Sequence, residues 1–132
     1  MSDFSEDEMA TLALIAGLII PASAAHGVPG ADDPAILSDI RASAARDRKA
    51  VSAALSAFEA SETAEAFRAD HPAAAARLQA LVALCYYRDP RVLRALGAPA
   101  RAPFPRGYDV EAGDAALIDQ VRARGPIWRK PE

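Results

Sequence analysis

A chain of 132 residues with a net charge of −3 and a single cysteine is one domain's worth of sequence with a mild acidic balance. These numbers exclude an internal disulfide, a CxxC redox pair, a CxxCH haem site and any cage built from cysteine alone, and they lack the basic excess expected of a freely acting nucleic-acid binder. About a quarter of the residues are alanine, so the 52% hydrophobic fraction overstates the core, yet the same composition favours helices.

The first helix signal is Ser5-Glu6-Asp7-Glu8, a capping box in which Ser5 accepts from the Glu8 amide and Glu8 reaches back to Ser5. The helix runs to about Ile19. Met9, Leu12, Ile15 and Ile19 form its stripe, Leu14 and Leu18 widen it, and this apolar breadth predicts a central position. Pro21 ends it. The four acids near the start and the absence of Lys or Arg before the apolar run argue against a secretory signal. The run is also too short and broken for a membrane span, and no twin-arginine pattern is present.

A loop of small residues covers 22–32, with Gly27, Pro29 and Gly30. Asp33 then serves as N-cap and Pro34 as first helical residue. One helix is expected from Pro34 to Ala60, exposing the charged turn Arg46-Asp47-Arg48-Lys49. A short helix containing Phe67 starts at Ser61 to Thr63. Asp70 is expected to cap the next, Pro72 to Arg88, which buries Leu78, Leu81, Val82, Leu84 and Cys85. Asp89-Pro90 repeats the cap-and-proline signal, and a helix from Arg91 to Leu96 closes on Gly97. Pro99, Pro103 and Pro105 describe an extended arm. A last helix spans Asp114 to Arg124 with Leu117, Ile118 and Val121 inward. No strand or repeat is expected. The reading is an all-α protein: a small irregular helical bundle of five to six helices with a Pro-rich extended C-terminal arm. Residues 1–97 form the core, and 98–132 the arm and short helix of the same domain.

Chemistry is sparse. His26 lies in the small-residue loop near Asp32 and Asp33, too few convergent ligands for a metal site. His71 precedes Pro72 as a hinge or cap contact. Cys85 falls on an apolar helix face and reads as a buried structural thiol. Gly27-Val28-Pro29-Gly30 lacks the Gly-Lys-Ser/Thr ending of a phosphate loop, and two aspartates follow it. Tyr86-Tyr87-Arg88-Asp89 is the most unusual cluster: one ring faces inward and one outward, and Arg88 and Asp89 pair with each other or with the arm. The candidate partner-binding residues are Tyr86, Tyr87, Arg88, Phe104, Arg106, Tyr108, Trp128 and Arg129, aromatic anchors with arginine rims.

Three stretches carry a resemblance. LIAGLIIPASAAHGVPGADDP resembles the N-terminal signature of the gluconate 2-dehydrogenase subunit 3 family, and CYYRDPRVLRALG and PFPRGYDVEAGD are similar to short bacterial proteins grouped near it. The resemblance implies a non-catalytic small subunit that binds and stabilises a large FAD-dependent oxidoreductase of the glucose-methanol-choline type. That partner acts on an alcohol or sugar, with FAD on the large subunit and no cofactor on this chain. Many such subunits carry a twin-arginine signal. The acidic start departs from that pattern and points to the cytoplasm. Two readings stand beside it: a free-standing small helical enzyme using His26 or Tyr87 as acid or base, and a DNA-binding regulator using the basic last third.

Overall fold

The computed structural model describes residues 4–100, 107, 113 and 116–125. The described residues are helical, with no strand among them. No helix among them is long and apolar enough to cross a membrane. The chain divides into two units, Met1–Ala102 and Pro103–Glu132.

Helix α1, Glu6–Ile19, starts at the expected capping box. The Glu8 amide donates to Ser5 Oγ at 3.1 Å, and the Ser5 amide donates to Glu8 Oε2 at 2.8 Å. Leu12, Ile15 and Ala16 are buried. Leu14 and Leu18 are each 57% exposed, so they do not widen the buried stripe. Among the described residues they lie on the solvent flank of α1, and the central place expected for α1 belongs to another helix.

The single helix expected over 34–60 is two. Helix α2, Pro34–Ala44, ends in a 3-10 turn, Ala45–Asp47, and α3 follows as Arg48–Glu59. The reason lies in the buried stripe of Ile36, Ile40 and Ala44, which an unbroken helix would continue through Asp47 or Arg48. The 3-10 turn takes Ala45, Arg46 and Asp47 out of the stripe to the surface, and Val51, Ala54 and Leu55 form the core face of α3. The charged turn then finds partners outside it. Asp47 pairs with Arg77, and Arg48 Nη2 lies 3.3 Å from Glu8 Oε2, with its guanidinium 5.0 Å from the centre of the Phe4 ring.

Helix α4, Ala64–Asp70, is capped by Thr63, whose Oγ1 accepts from the Ala66 amide at 3.0 Å. Asp70 does not cap the next helix. It is the last residue of α4, and His71 occupies the cap position with no side-chain bond to the helix. Pro72 at the first turn has no N–H to satisfy, which reduces the need for a capping side chain there.

Helix α5, Pro72–Tyr86, is the hub, with its main contacts to α1, α2, α3 and α4. Ala75, Leu78, Val82, Cys85 and Tyr86 are its buried face. The small side chain of Ala75 allows close helix approach. Leu84, expected inside, is exposed, because it lies between Val82 and Cys85 on the opposite side of the helix. Helix α6, Pro90–Ala95, buries Val92 and closes on Gly97 at φ +72°. The Ala98 amide donates to the Leu93 carbonyl at 2.9 Å and the Gly97 amide to the Arg94 carbonyl at 3.0 Å, a Schellman cap.

In the second unit, α7 spans Ala116–Ala123 among the described residues, and Arg124, expected inside it, lies in the turn that follows. Ile118 and Val121 are exposed, not inward. Helical spacing selects a face but does not supply the surface that covers it.

Candidate functional site

The corner between α1 and α2 is more ordered than a loop of small residues. Ser23 and Val28 exchange both backbone hydrogen bonds at 3.1 Å, forming one antiparallel bridge closed by a four-residue turn. Within it the Gly27 amide donates to the Ala24 carbonyl at 3.2 Å, and Gly27 adopts φ +62°. The Ala31 amide donates to the Ile20 carbonyl at 2.9 Å and closes the neck. Gly30 sits in this neck because nothing larger fits: a Cβ there would lie 2.3 Å from Asp32 Oδ1 and 2.9 Å from the Ala22 nitrogen. His26 is carried on the turn.

Three side chains, from the end of α5, the turn after it and α6, pin the corner and its neighbour α2. Tyr86 is 4% exposed, and its hydroxyl donates to the Pro29 carbonyl at 3.0 Å. Burial pushes its phenol above the ordinary value. Arg91 grips two helix caps at once. Its Nη2 donates to Asp33 Oδ1 at 2.7 Å and its Nη1 to Asp33 Oδ2 at 3.1 Å, while Nε and Nη2 reach the Asp89 carboxylate at 3.1 and 3.0 Å. Asp33 caps α2 through the Ala35 amide at 3.0 Å, and Asp89 caps α6 through the Arg91 amide at 2.8 Å. The Arg91 guanidinium holds both carboxyls below the usual carboxylate range and has its own affinity for the proton raised.

Arg88 was expected to pair with Asp89 or the arm. It instead forms a two-pronged pair with Asp39 of α2, and its Nη2 donates to Ser43 Oγ at 2.6 Å. Asp89 is occupied by Arg91, which leaves Arg88 to the neighbouring helix. Cys85 Sγ lies 3.5 Å from Ser43 Oγ and is buried. Burial pushes its thiol up, so it is held as an inert S–H and not as a nucleophile.

Tyr87 turns the other way, 53% exposed, its ring edge-on to Tyr86 at 5.2 Å. One ring in and one out is the arrangement read from the sequence. Tyr87 lines a groove of about 220 Å³ together with Ile20, His26, Val28, Val92 and Leu96. His26 and Tyr87, 61 positions apart in the sequence, therefore face one space. His71 lies elsewhere, its ring 5.9 Å from that of Phe67. Among the described residues no three His, Cys, Asp or Glu side chains are placed to share a metal ion. Phe104, Arg106, Tyr108, Trp128 and Arg129 lie outside the described residues.

No protein-family model, no curated protein and no solved structure matches the chain.

The sequence reading missed Leu96 and Leu84 as exposed apolar neighbours of Tyr87, and Asp39 and Ser43 as the partners of Arg88. The signal for Leu96 was present, since a six-residue helix with one buried Val92 has little core face to offer a second large side chain. Nothing in sequence marks Asp39 among the other acids.

Proposed function

We propose that this chain is a non-catalytic small subunit that binds and stabilises a large FAD-dependent oxidoreductase acting on an alcohol or sugar, in the cytoplasm, with the flavin on the partner. The resemblance of the three stretches supplies the partner class. The observation that supports a docking role is the exposed apolar rim of Tyr87 and Leu96, held on helix ends pinned by Tyr86, Arg88 and Arg91. Leu84, one turn before Tyr87, extends it. A rigid aromatic anchor beside an aliphatic rim loses little conformational freedom on binding. Binding to the folded partner alone stabilises that partner by mass action.

Affinity co-purification from the native host tests the reading. A flavoprotein recovered at equal stoichiometry, and lost from a Tyr87→Ala, Leu96→Ala double variant, is the expected result. Recovery of no flavoprotein at native expression overturns it.

A second reading rests on the shared groove of His26 and Tyr87. A small enzyme would use the imidazole as base and the phenol as acid on a substrate held between them. Turnover by the purified chain alone, abolished by His26→Ala, would favour it over the subunit reading.

A further inference from the structure

A second cavity, of about 160 Å³, shares no lining residue with the groove. It lies among α1, α3, α4 and α5. Its floor is apolar and buried, with Ile15, Phe67 and Leu78 at its base, and the exposed Leu18 at its edge. Its polar lining side chains are Arg68 and Gln79, and no acidic residue lines it. Arg48, Arg77, Arg88 and Arg91 each meet a carboxylate. Arg68 has no hydrogen-bond or ion-pair partner among the described residues, Glu65 one turn earlier included.

We propose that this cavity is a binding site for a small amphipathic carboxylate, a short straight-chain fatty acid. Its tail lies among Ile15, Phe67 and Leu78, and its head group meets the Arg68 guanidinium with help from the Gln79 amide. The chemistry follows from the lining. A planar guanidinium fork matches the two oxygens of a carboxylate and holds them more firmly than a lone point charge. The apolar floor removes a hydrocarbon tail from water. The volume falls below the roughly 300–1,000 Å³ of pockets for drug-sized ligands, which limits the tail to a short one. An alcohol would gain the tail term alone, and an amine would be repelled by Arg68.

The test titrates the full chain with octanoate, 1-octanol and octylammonium, read by methyl NMR shifts. Octanoate is expected to move the methyls of Ile15, Leu18 and Leu78 and to bind about fivefold more tightly than octanol, the size of a rim ion pair. Arg68→Gln brings octanoate to the octanol value and leaves octanol unchanged. Leu18→Glu, on an exposed position that leaves the core intact, weakens octanoate by like-charge repulsion and provides an independent variant. Equal affinity for the three head groups, an octanoate affinity unchanged in Arg68→Gln, shifts mapping away from these methyls, or no binding at millimolar concentration would each overturn the proposal. The result is independent of whether a flavoprotein partner is found.

Discussion

Arg91 and Asp33 stand 58 residues apart and share a two-pronged ion pair, and the same guanidinium also holds Asp89. Two Asp-Pro helix starts, α2 and α6, are thereby joined at their caps. Asp33→Ala removes a cap and one arm of this bridge. The loss of an aspartate N-cap costs about 1 kcal/mol, and urea denaturation is expected to show it as a lowered midpoint with an unchanged slope. Arg91→Leu lowers the midpoint as well, and combined with Asp33→Ala it does not lower it additively, because the two side chains act as one unit.

The same bridge sets a pH dependence. Asp33 and Asp89 have their carboxyls held below the usual range, first through hydrogen bonds from Arg91. In acid the unfolded chain therefore binds more protons than the folded one, and stability rises with pH. The contribution is complete above the unfolded carboxyl value of about 3.9 and is lost as pH falls through the lower folded values. Urea midpoints followed from about pH 5 down to about pH 2.5 should drop in the natural chain. The drop should be shallower in Asp33→Asn, Asp89→Asn.

Two glycines separate by what surrounds them. A Cβ on Gly30 meets the Ala22 backbone nitrogen at 2.9 Å, and backbone cannot step aside cheaply. Gly30→Ala is expected to destabilise by about 1–3 kcal/mol. The nearest atoms to a Cβ on Gly17 belong to the exposed Asp32 side chain, at 3.3 Å. Gly17→Ala lies inside α1, where alanine is favoured over glycine by up to about 1 kcal/mol, so it should be neutral or stabilising. Paired thermal melts should show a loss for Gly30→Ala and none for Gly17→Ala, and two equal losses contradict this account.

Tyr86→Phe keeps the ring and deletes the bond to Pro29. The Pro29 carbonyl loses its partner, at a cost of about 1 kcal/mol. Hydrogen exchange at the Val28 and Ala31 amides should accelerate while the α5 amides stay protected. Uniform acceleration through α5 would mean that the hydroxyl supports the helix and not the corner.

Cys85 is expected to react with thiol reagents only as fast as the protein opens, since burial raises its thiol and Ser43 and Arg88 lie against it. Labelling that tracks urea-induced unfolding supports this. Rapid labelling of the folded chain would place the sulfur at the surface.

The helix starts were legible because each depends on a few adjacent residues: Ser5 with Glu8, Asp33 with Pro34, Asp89 with Pro90. The break at Ala45–Asp47 was not, since a charged turn is compatible with an exposed helix or with a bend, and the apolar positions on either side keep one helical spacing. Leu84, Leu14 and Leu18 were placed inside because apolar character was read without knowing which flank a neighbour would cover. The inward and outward tyrosines followed from their adjacency on one helix. The partners of Arg88 and Arg91 did not, because pairings across 49 and 58 positions leave no local trace.

The corner after α1 is locked by groups that lie far later in the chain. Tyr86 holds Pro29, Arg88 holds Asp39, and Arg91 holds Asp33. During synthesis these locks arrive well after the segments they hold. At about 5–20 residues per second, the first two helices emerge from the ribosome several seconds before the side chains that fix their junction. Until then the apolar face of α1 waits without α5, its later partner, and the nascent chain is at its most exposed to chaperones and to aggregation in that interval.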